Sequence, residues 1–324
     1  MKNQKWAWSL ALAVSLLCVL PANASLTTFQ TFTGAGVNVN TAGWGSVSNV
    51  GTISINAVPT GSTILGVYLY TSTYYNASMT GIGVTIDGVS TGFTSLGTTA
   101  PCCTLTAGRA DLTSTALATD IAGGATSFAI SETSSLQDGE ALVVVYKDPA
   151  VSDISTVGIL DGFSAVGGDN STISFSSPLN PAASGFFAEM RIGDGFSCCS
   201  QTSTIAVNGT TITNNAGNND DSVDGSLQNG NLITMGGSND PFSPMLPSYA
   251  ADHERYNLIP QINNGDTSIG IHTVNPSGDD NIFLEVFAVS GAATISSGVP
   301  EPASIFLFGT LLAGVGLRLR RRKA

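Results

Sequence analysis

Positive charge is scarce in this chain away from its two ends. Of 11 Lys and Arg residues, two precede the first long apolar run and five end the chain, which leaves four between Ser25 and Val299. The same span carries 22 acidic residues, so its formal net charge is −18. Such a surface repels nucleic acid and anionic lipid, so neither is expected as a partner of this span, whereas divalent cations would be attracted.

Residues and motifs that mark common enzymes are also missing. The chain has two histidines and contains no nucleophile elbow, zinc-protease helix, phosphate-binding loop or dinucleotide fingerprint. His272 is interpreted as a structural residue of a strand, and the quartet Asp252–Arg255 as a solvated loop. We therefore expect a protein that is not an enzyme. A glycan-active hydrolase remains the alternative, because 22 acids offer many carboxylate pairs.

The body lacks helical periodicity and is rich in Gly, Ser, Thr and Asn. Ala141–Tyr146 is a continuous apolar run short enough for a buried strand, and Asp87-Gly88 and Asn208-Gly209 are tight hairpin dipeptides. This pattern predicts an all-β fold of two tandem antiparallel β-sandwich domains, jelly-roll-like in type. The only helices expected are an N-terminal signal helix and one C-terminal transmembrane helix.

Three segments recur in the same order along the body. Thr52–Tyr70 matches Thr172–Met190, Val84–Gly92 matches Ile205–Thr213, and Arg109–Tyr146 matches Arg255–Phe287. The offsets are 120, 121 and 146, the last falling to 140 between Leu142 and Ile282. We interpret the body as a tandem duplication, with domain 1 at residues 25–150 and domain 2 at 151–297, and with the boundary just after Pro149.

The N-terminus has the three parts of a secretory signal peptide. Lys2 and Lys5 form a basic region, Trp6–Leu20 is apolar, and Ala22-Asn23-Ala24 is a small-x-small cleavage site. We expect residues 1–24 to be removed after Ala24. The mature chain then begins at Ser25 and lies in an oxidising compartment outside the cytoplasm.

The C-terminus has a second tripartite pattern. A Pro-Glu-Pro triplet precedes an uncharged apolar run, predicted as a transmembrane helix over 303–319, and a basic cluster follows. The cluster orients the segment with the chain end in the cytoplasm. An ordinary membrane anchor is the alternative. The residues that define the pattern are Pro300, Glu301, Pro302, Arg318, Arg320, Arg321 and Arg322.

This order of elements at 299–324 resembles the PEP-CTERM sorting signal of Gram-negative bacteria. The resemblance implies an exported protein whose tail anchors it transiently in the inner membrane until an exosortase removes it, followed by delivery to the cell surface or extracellular matrix. Such proteins often accompany extracellular polysaccharide. We therefore expect a non-catalytic structural or binding role, with polysaccharide as the favoured partner.

The body also resembles an uncharacterised family of exported bacterial β-domains. The likeness is carried by YLY at Tyr68–Tyr70, RADLT from Arg109, EALVVVYKDP from Glu140 and ILDGF at Ile159–Phe163. This chain lacks the Trp that follows Tyr70 in that family. The likeness implies a β-fold and no particular activity.

Four cysteines of the mature chain form two vicinal pairs, Cys102-Cys103 and Cys198-Cys199. Their even number in an exported chain predicts disulfides. Alternating strand directions put both loops at the same end of their sandwiches, so we favour bridges between the pairs, while vicinal bridges within each pair stay open. A four-thiolate metal site is disfavoured, because zinc sites use C-x-x-C spacing.

The run NNDDSVDG places Asp220, Ser222 and Asp224 at alternate positions before Gly225, as in the first half of a Ca²⁺ loop. Position 231 is Asn where the bidentate acid of that loop belongs. A solvated acidic loop is the favoured interpretation, and no cofactor is expected. A Ca²⁺-dependent adhesin that also uses Asp221 is the alternative.

Overall fold

The computed structural model describes residues 25–45, 48–99, 104–164, 167–195, 202–217, 233–275 and 281–298. Residues Ala24–Ser297 form one compact unit. All strand pairs in the described part are antiparallel, which confirms the predicted antiparallel β class. The jelly-roll type stays a prediction, and both expected terminal helices lie outside the described residues.

Twenty strands are found in the described residues. The first ten are β1 (Thr27–Ala35), β2 (Val37–Gly45), β3 (Val50–Ser54), β4 (Thr63–Thr73), β5 (Gly83–Ile86), β6 (Val89–Gly92), β7 (Thr94–Thr99), β8 (Leu105–Asp111), β9 (Ser127–Glu132) and β10 (Gln137–Lys147). The others are β11 (Ile154–Asp161), β12 (Asp169–Phe175), β13 (Ala188–Gly195), β14 (Ser203–Val207), β15 (Thr210–Ala216), β16 (Thr234–Met235), β17 (Arg255–Asn257), β18 (Ser268–Val274), β19 (Asn281–Ser290) and β20 (Ala293–Ser297). The helical elements are one α-helix, α1 (Ala116–Ala122), and two 3₁₀ turns, Tyr249–Ala251 and Ile259–Gln261.

The strands form four sheets. Two inner sheets pack against each other, and each inner sheet is covered on its other face by an outer sheet. The first inner sheet has the order β2-β10-β4-β8-β7, and the first outer sheet β3-β9-β5-β6. The second inner sheet has the order β1-β11-β19-β13-β16, with β17 also paired to β13, and the second outer sheet β15-β14-β18-β12-β20. Apart from β1, the strands before residue 150 form the first inner and outer sheets, and the strands after it form the second inner and outer sheets.

Three hydrophobic cores hold these sheets in a stack. One lies between the first outer and first inner sheets, one between the two inner sheets, and one between the second inner and second outer sheets. Strand β10 is buried on both faces, and this explains the continuous apolar run in its sequence. Leu142 and Val144 face the first outer sheet, while Val143 and Val145 face the other half. A strand buried on both faces needs no alternation with polar residues.

The strand orders of the two halves correspond. The order β2-β10-β4-β8 matches β11-β19-β13-β17, and β3-β9-β5-β6 matches β12-β18-β14-β15. The outer sheets also keep the expected offsets, since Thr52 pairs with Ala129 and Thr172 with Gly270. These correspondences support the duplication hypothesis.

Two expected offsets are wrong. Leu69 and Met190 both face their outer sheets, so β4 corresponds to β13 with an offset of 121 rather than 120. Val143 pairs with Tyr68 and Ala288 with Glu189, which then sets the β10-to-β19 offset at 145 rather than 140. The connection from β18 to β19 is longer than that from β9 to β10. Because β10 and β19 are both apolar, their sequences also resemble each other in the wrong register.

The two terminal strands both extend the second half. Strand β1 pairs with β11, and β20 pairs with β12, and the hydroxyl of Thr28 donates to the Ile295 carbonyl at 3.2 Å. The first strand of the predicted domain 1 therefore lies in a sheet of the second half. A boundary near residue 150 does not separate the sheets.

Candidate functional site

The connection between the halves is an ordered loop. The Asp148 amide donates to the Gly36 carbonyl at 2.8 Å, and the Gly36 amide donates to the Asp153 carbonyl at 3.0 Å. Gly36 has φ +71°, and a Cβ there would collide with the Asp148 carbonyl. The turn between β1 and β2 therefore requires glycine, and it fixes both ends of the linker.

A continuous open groove runs along this linker. Two depressions of about 310 and 350 Å³ share Ile154, Ala183, Phe186 and Ser290. We call the combined depression the linker groove. It is bounded by the β1–β2 turn, the linker, the loop between β12 and β13, and the start of the segment after β19.

The linker groove combines apolar and polar surface. Val151 and Ile154 are 44% and 52% exposed, and the half-buried Phe175, Phe186 and Phe187 have their inner faces against the cores. The polar lining includes Asn38, Asp148, Asp153, Asn180 and Ser184. Phenyl rings offer flat apolar faces, and carboxylates and amides accept or donate hydrogen bonds. This mixture suits a ligand with both C–H faces and hydroxyl groups.

Two carboxylates, those of Asp148 and Asp153, line the same groove. Asp148 Oδ1 accepts a hydrogen bond from the Ala150 amide at 2.8 Å, which stabilises the turn of the linker. Asp153 is exposed. Sequence reasoning missed this site. Its only local signal was the Phe186-Phe187 pair that ends a loop rich in Pro, Ser and Gly.

A second cavity lies at the seam between the inner sheets. It measures about 420 Å³ and is lined by Ser25, Thr28, Thr94, Arg109 and Asp161, among others. The segments YLY, RADLT and ILDGF, which carried the family likeness, meet here. The Tyr70 hydroxyl donates to Asp161 Oδ2 at 3.1 Å, and the Arg109 guanidinium pairs with the same oxygen and lies 3.5 Å from the Phe29 ring centroid.

Burial dominates the electrostatics of this seam cavity. Burial raises the pKa of Asp161 even though the Arg109 guanidinium opposes the shift. Burial also raises the pKa of Tyr70 well above its usual range, and the neighbouring Asp161 carboxylate adds to the increase. The cluster joins the two halves through the contact between Arg109 and Asp161 and through the hydrogen bond that the Tyr70 hydroxyl donates.

Two residues of the quartet Asp252–Arg255 are buried and the other two are half-buried, which corrects its interpretation as a solvated loop. Asp252 and Glu254 are both 0% exposed. Asp252 Oδ1 accepts hydrogen bonds from Ser243 Oγ at 3.0 Å and from the Tyr256 hydroxyl at 2.8 Å. Residues 233–254 lead back into β17, and the polar groups of Asp252 find protein partners instead of water.

Arg255 ties this returning segment to its own sheet. Its guanidinium donates to Glu189 Oε2 from Nε at 3.0 Å and from Nη2 at 2.9 Å, and Nη1 donates to the carbonyls of Ser238 and Asp240 at 3.0 and 2.7 Å. Arg191 donates to Glu189 Oε1 at 2.9 Å. Burial lowers the pKa of Arg191, while Glu189 opposes the shift.

Each half also buries one glutamate at an equivalent position. The corrected offset of 145 relates Glu140 in β10 to Glu285 in β19. Burial raises the pKa of Glu140 well above its usual range, and Glu132 adds to it. Burial, followed by Asp169, raises the pKa of Glu285 to about 8. Both side chains lie inside the sandwiches, so we assign them to the interior rather than to a site.

The structure leaves most sequence-predicted site residues undescribed. The cysteines at 102, 103, 198 and 199, the acidic run with Asp220, Ser222 and Asp224, and the sorting-signal residues all lie outside the described ranges. Among the described residues, no group of three His, Cys, Asp or Glu side chains is arranged to hold a metal ion. His272 lies in β18, and its Nδ1 is 3.2 Å from the Asp169 carbonyl.

A family model for the PEP-CTERM protein-sorting motif matches residues 298–322. The chain therefore carries a PEP-CTERM sorting motif at its C-terminal end. The motif implies an exported protein that is targeted to exosortase and anchored transiently through its C-terminal region. The compact unit ends at Ser297, so the PEP-CTERM motif begins directly after it. Among the described residues, no helix has the length and apolar character to cross a membrane.

Curated proteins give no match to this PEP-CTERM chain. Among solved structures, a peptide-N(4)-(N-acetyl-β-D-glucosaminyl) asparagine amidase is 13% identical, with 82% of this chain and 100% of that chain covered and a TM-score of 0.26. The major capsid protein P2 of bacteriophage PM2 is 11% identical, with 79% and 98% covered and a TM-score of 0.23. BuGH86wt, solved with neoagarooctaose, is 12% identical, with 75% and 34% covered and a TM-score of 0.22. Likenesses this distant carry no functional argument.

Proposed function

We propose that this exported protein is a non-catalytic component of the cell surface or extracellular matrix, and that its body binds neutral extracellular polysaccharide along the linker groove. The observation that carries the proposal is the groove itself. It is elongated and open, and it combines three phenylalanines with acidic and amide side chains. The association of the sorting signal with extracellular polysaccharide supports the same class of ligand.

The charge of the body favours a neutral ligand. A net charge of −18 repels a uronate- or sulfate-rich chain over its whole length, and the carboxylates of Asp148 and Asp153 do so within the groove. A neutral sugar ring would lay its C–H face on a phenyl ring and donate its hydroxyls to Asp153 or Asn38.

A pull-down with insoluble and soluble polysaccharides tests the proposal, using processed protein recovered from the producing cells. We expect retention on a neutral glycan, and a loss of affinity of about 5- to 30-fold with Phe186→Ala, since one stacked ring contributes about 1–2 kcal/mol. Tyr75→Ala is the matched control, because Tyr75 is an exposed aromatic residue outside the groove. Equal losses in both variants, or retention only on anionic glycans, would contradict the proposal.

A glycan hydrolase is the second candidate, favoured by the two carboxylates in one groove. Release of reducing ends from the retained polysaccharide would support it, provided that Asp148→Asn or Asp153→Asn abolishes the release and leaves retention intact. The Ca²⁺-dependent adhesin is tested by the same pull-down with and without a chelator. We expect neither reducing ends nor an effect of Ca²⁺ removal.

A further inference from the structure

Ser25, the first described residue, is held in place by the fold. The Ser25 hydroxyl donates to Asp169 Oδ1, and the next residue, Leu26, is only 1% exposed. The Ser25 carbonyl lies so close to Gly162 that a Cβ on Gly162 would collide with it. The chain is therefore already fixed two residues before β1 begins.

The surroundings of Ser25 are predominantly acidic. Asp169 is 6% exposed and interacts with the fully buried Glu285, whose carboxyl accepts a hydrogen bond from Ser171 Oγ at 3.2 Å. On the side of the seam cavity lie Asp161 and Arg109, which are paired with each other. From β18, His272 places its Nδ1 3.2 Å from the Asp169 carbonyl.

Signal-peptide removal would introduce a cation at this point. Hydrolysis of the Ala24–Ser25 bond by a signal peptidase consumes one water and leaves a carboxylate on Ala24 and an α-amino group on Ser25. That amino group has an ordinary pKa of about 7.7–8.0 and is protonated at neutral pH. The nitrogen is three bonds from Oγ, so it lies within about 6 Å of Asp169 Oδ1, the range over which opposite charges interact strongly.

We propose that cleavage after Ala24 completes an ion pair between the new α-ammonium of Ser25 and the carboxylate of Asp169, which fastens β1 to the second half. Export processing then stabilises the fold, because the precursor has a neutral amide nitrogen where the mature protein has a charge.

The test compares the processed protein with a form whose N-terminus is displaced. Two glycines are inserted between Ala24 and Ser25 of the full chain, and N-terminal sequencing verifies the first residue of each secreted product. We expect the extended form to melt about 2–4 °C lower at pH 6–7, the shift caused by losing about one surface-proximal ion pair in a chain of this size. This difference in melting temperature between the two forms should disappear above about pH 10, where the ammonium is neutral.

The direction of this pH dependence follows from the linkage between proton binding and folding stability. The carboxylate raises the ammonium pKa, so its stabilisation is present below about pH 8 and is lost as pH rises through the raised value. Both forms share Arg109, Asp161, His272 and Glu285, so the titration of those groups cancels in the difference. In an Asp169→Asn background the two forms should melt together at every pH.

Three outcomes would overturn the proposal. The first is a difference in melting temperature that persists unchanged at pH 10. The second is an equal difference in melting temperature in the Asp169→Asn background. The third is a native first residue other than Ser25. Ser25→Ala, which keeps the ammonium and loses only the hydroxyl, should retain the pH-dependent difference in melting temperature from its own extended form.

Discussion

Arg109 and Arg255 occupy corresponding positions in the two halves, yet they connect different parts of the structure. Arg109 in β8 reaches across the seam to Asp161 of the other half. Arg255 in β17 pairs with Glu189 of the neighbouring strand and with two carbonyls of the segment that returns to β17. The first arginine connects the halves, and the second secures an insertion to its own half.

The insertion explains the difference. The segment between β15 and β17 brings the Ser238 and Asp240 carbonyls to the second arginine, whereas the corresponding connection of the first half, between β6 and β8, spans only residues 93–104. A guanidinium carries five donors in a rigid fork, so the same side chain can serve either arrangement. Corresponding positions in the two halves can therefore share the residue without sharing its partner.

The largest expected effect comes from the cysteines, whose bridges would make the two halves inseparable. A Cβ at Gly195 would lie 2.6 Å from Ser72 Oγ, and Ser72 pairs with Ala107, so the described flanks of both cysteine loops are neighbours. We propose bridges between the pairs at 102–103 and 198–199. Reduction should then lower the free energy of unfolding by about 4–5 kcal/mol, because a loop of about 96 residues is released.

Non-reducing peptide mapping decides this prediction. Joined peptides that carry Cys102-Cys103 and Cys198-Cys199 are expected. A peptide with Cys102-Cys103 that migrates alone, two mass units below its reduced form, would mean a vicinal disulfide and no covalent link between the halves.

A smaller effect is expected from the two arginines. Arg255→Met should cost about 3 kcal/mol of unfolding free energy, because it leaves two carbonyls and part of Glu189 without a donor in a largely buried site. Arg109→Met should cost about 1–2 kcal/mol, since Asp161 keeps the Tyr70 hydroxyl. Urea unfolding measures both, with Lys147→Met, an exposed cation of the same body, as the control. A larger cost for Arg109→Met would reverse the comparison between the halves.

Local patterns predicted the antiparallel strands and hairpins of this fold, but they missed the short helix α1 (Ala116–Ala122) and most contacts between strands. The Asp87-Gly88 and Asn208-Gly209 dipeptides lie in hairpins as expected, and Ala141–Tyr146 lies in a strand buried on both faces. The exchange of β1 into the second half had no local signal, because pairing of β1 depends on which sheet edge is free. The burial of Asp252 depends likewise on partners distant in sequence, such as Thr213.

The buried glutamates of the two halves should both make the stability of the fold depend on pH. A buried carboxyl with a raised pKa stabilises the fold fully below its ordinary pKa, and this stability is lost as pH rises through the raised value. For Glu285 the window runs from about 4.5 to about 8. Glu285→Gln should therefore gain stability relative to the parent as pH rises from 5 to 8.

We expect this gain to reach about 2 kcal/mol at pH 8, because relaxation around a buried charge reduces the limiting value of about 1.4 kcal/mol per pH unit. Glu140→Gln should change in the same direction, since burial raises the pKa of Glu140 as well. Asp120→Asn, at an exposed carboxylate, controls for the loss of one negative charge. Urea unfolding at pH 5, 6.5 and 8 measures all three, and a gain for Glu285→Gln that is the same at every pH would contradict the assignment.

The smallest expected effect lies in the two equivalent hairpin turns. Asp87 and Asn208 both have positive φ, at 46° and 47°. Alanine at either position should cost about 1 kcal/mol, because the left-handed region is unfavourable for a residue with a Cβ and no local polar side chain. Asn208 makes two further hydrogen bonds, from Nδ2 to the Gln261 carbonyl at 2.8 Å and to Oδ1 from the Gly270 amide at 2.9 Å. Asn208→Ala should therefore cost about 1 kcal/mol more than Asp87→Ala in thermal or urea unfolding. Equal costs would show that these exposed hydrogen bonds add nothing, and that the two turns remain equivalent in energy as well as in backbone conformation.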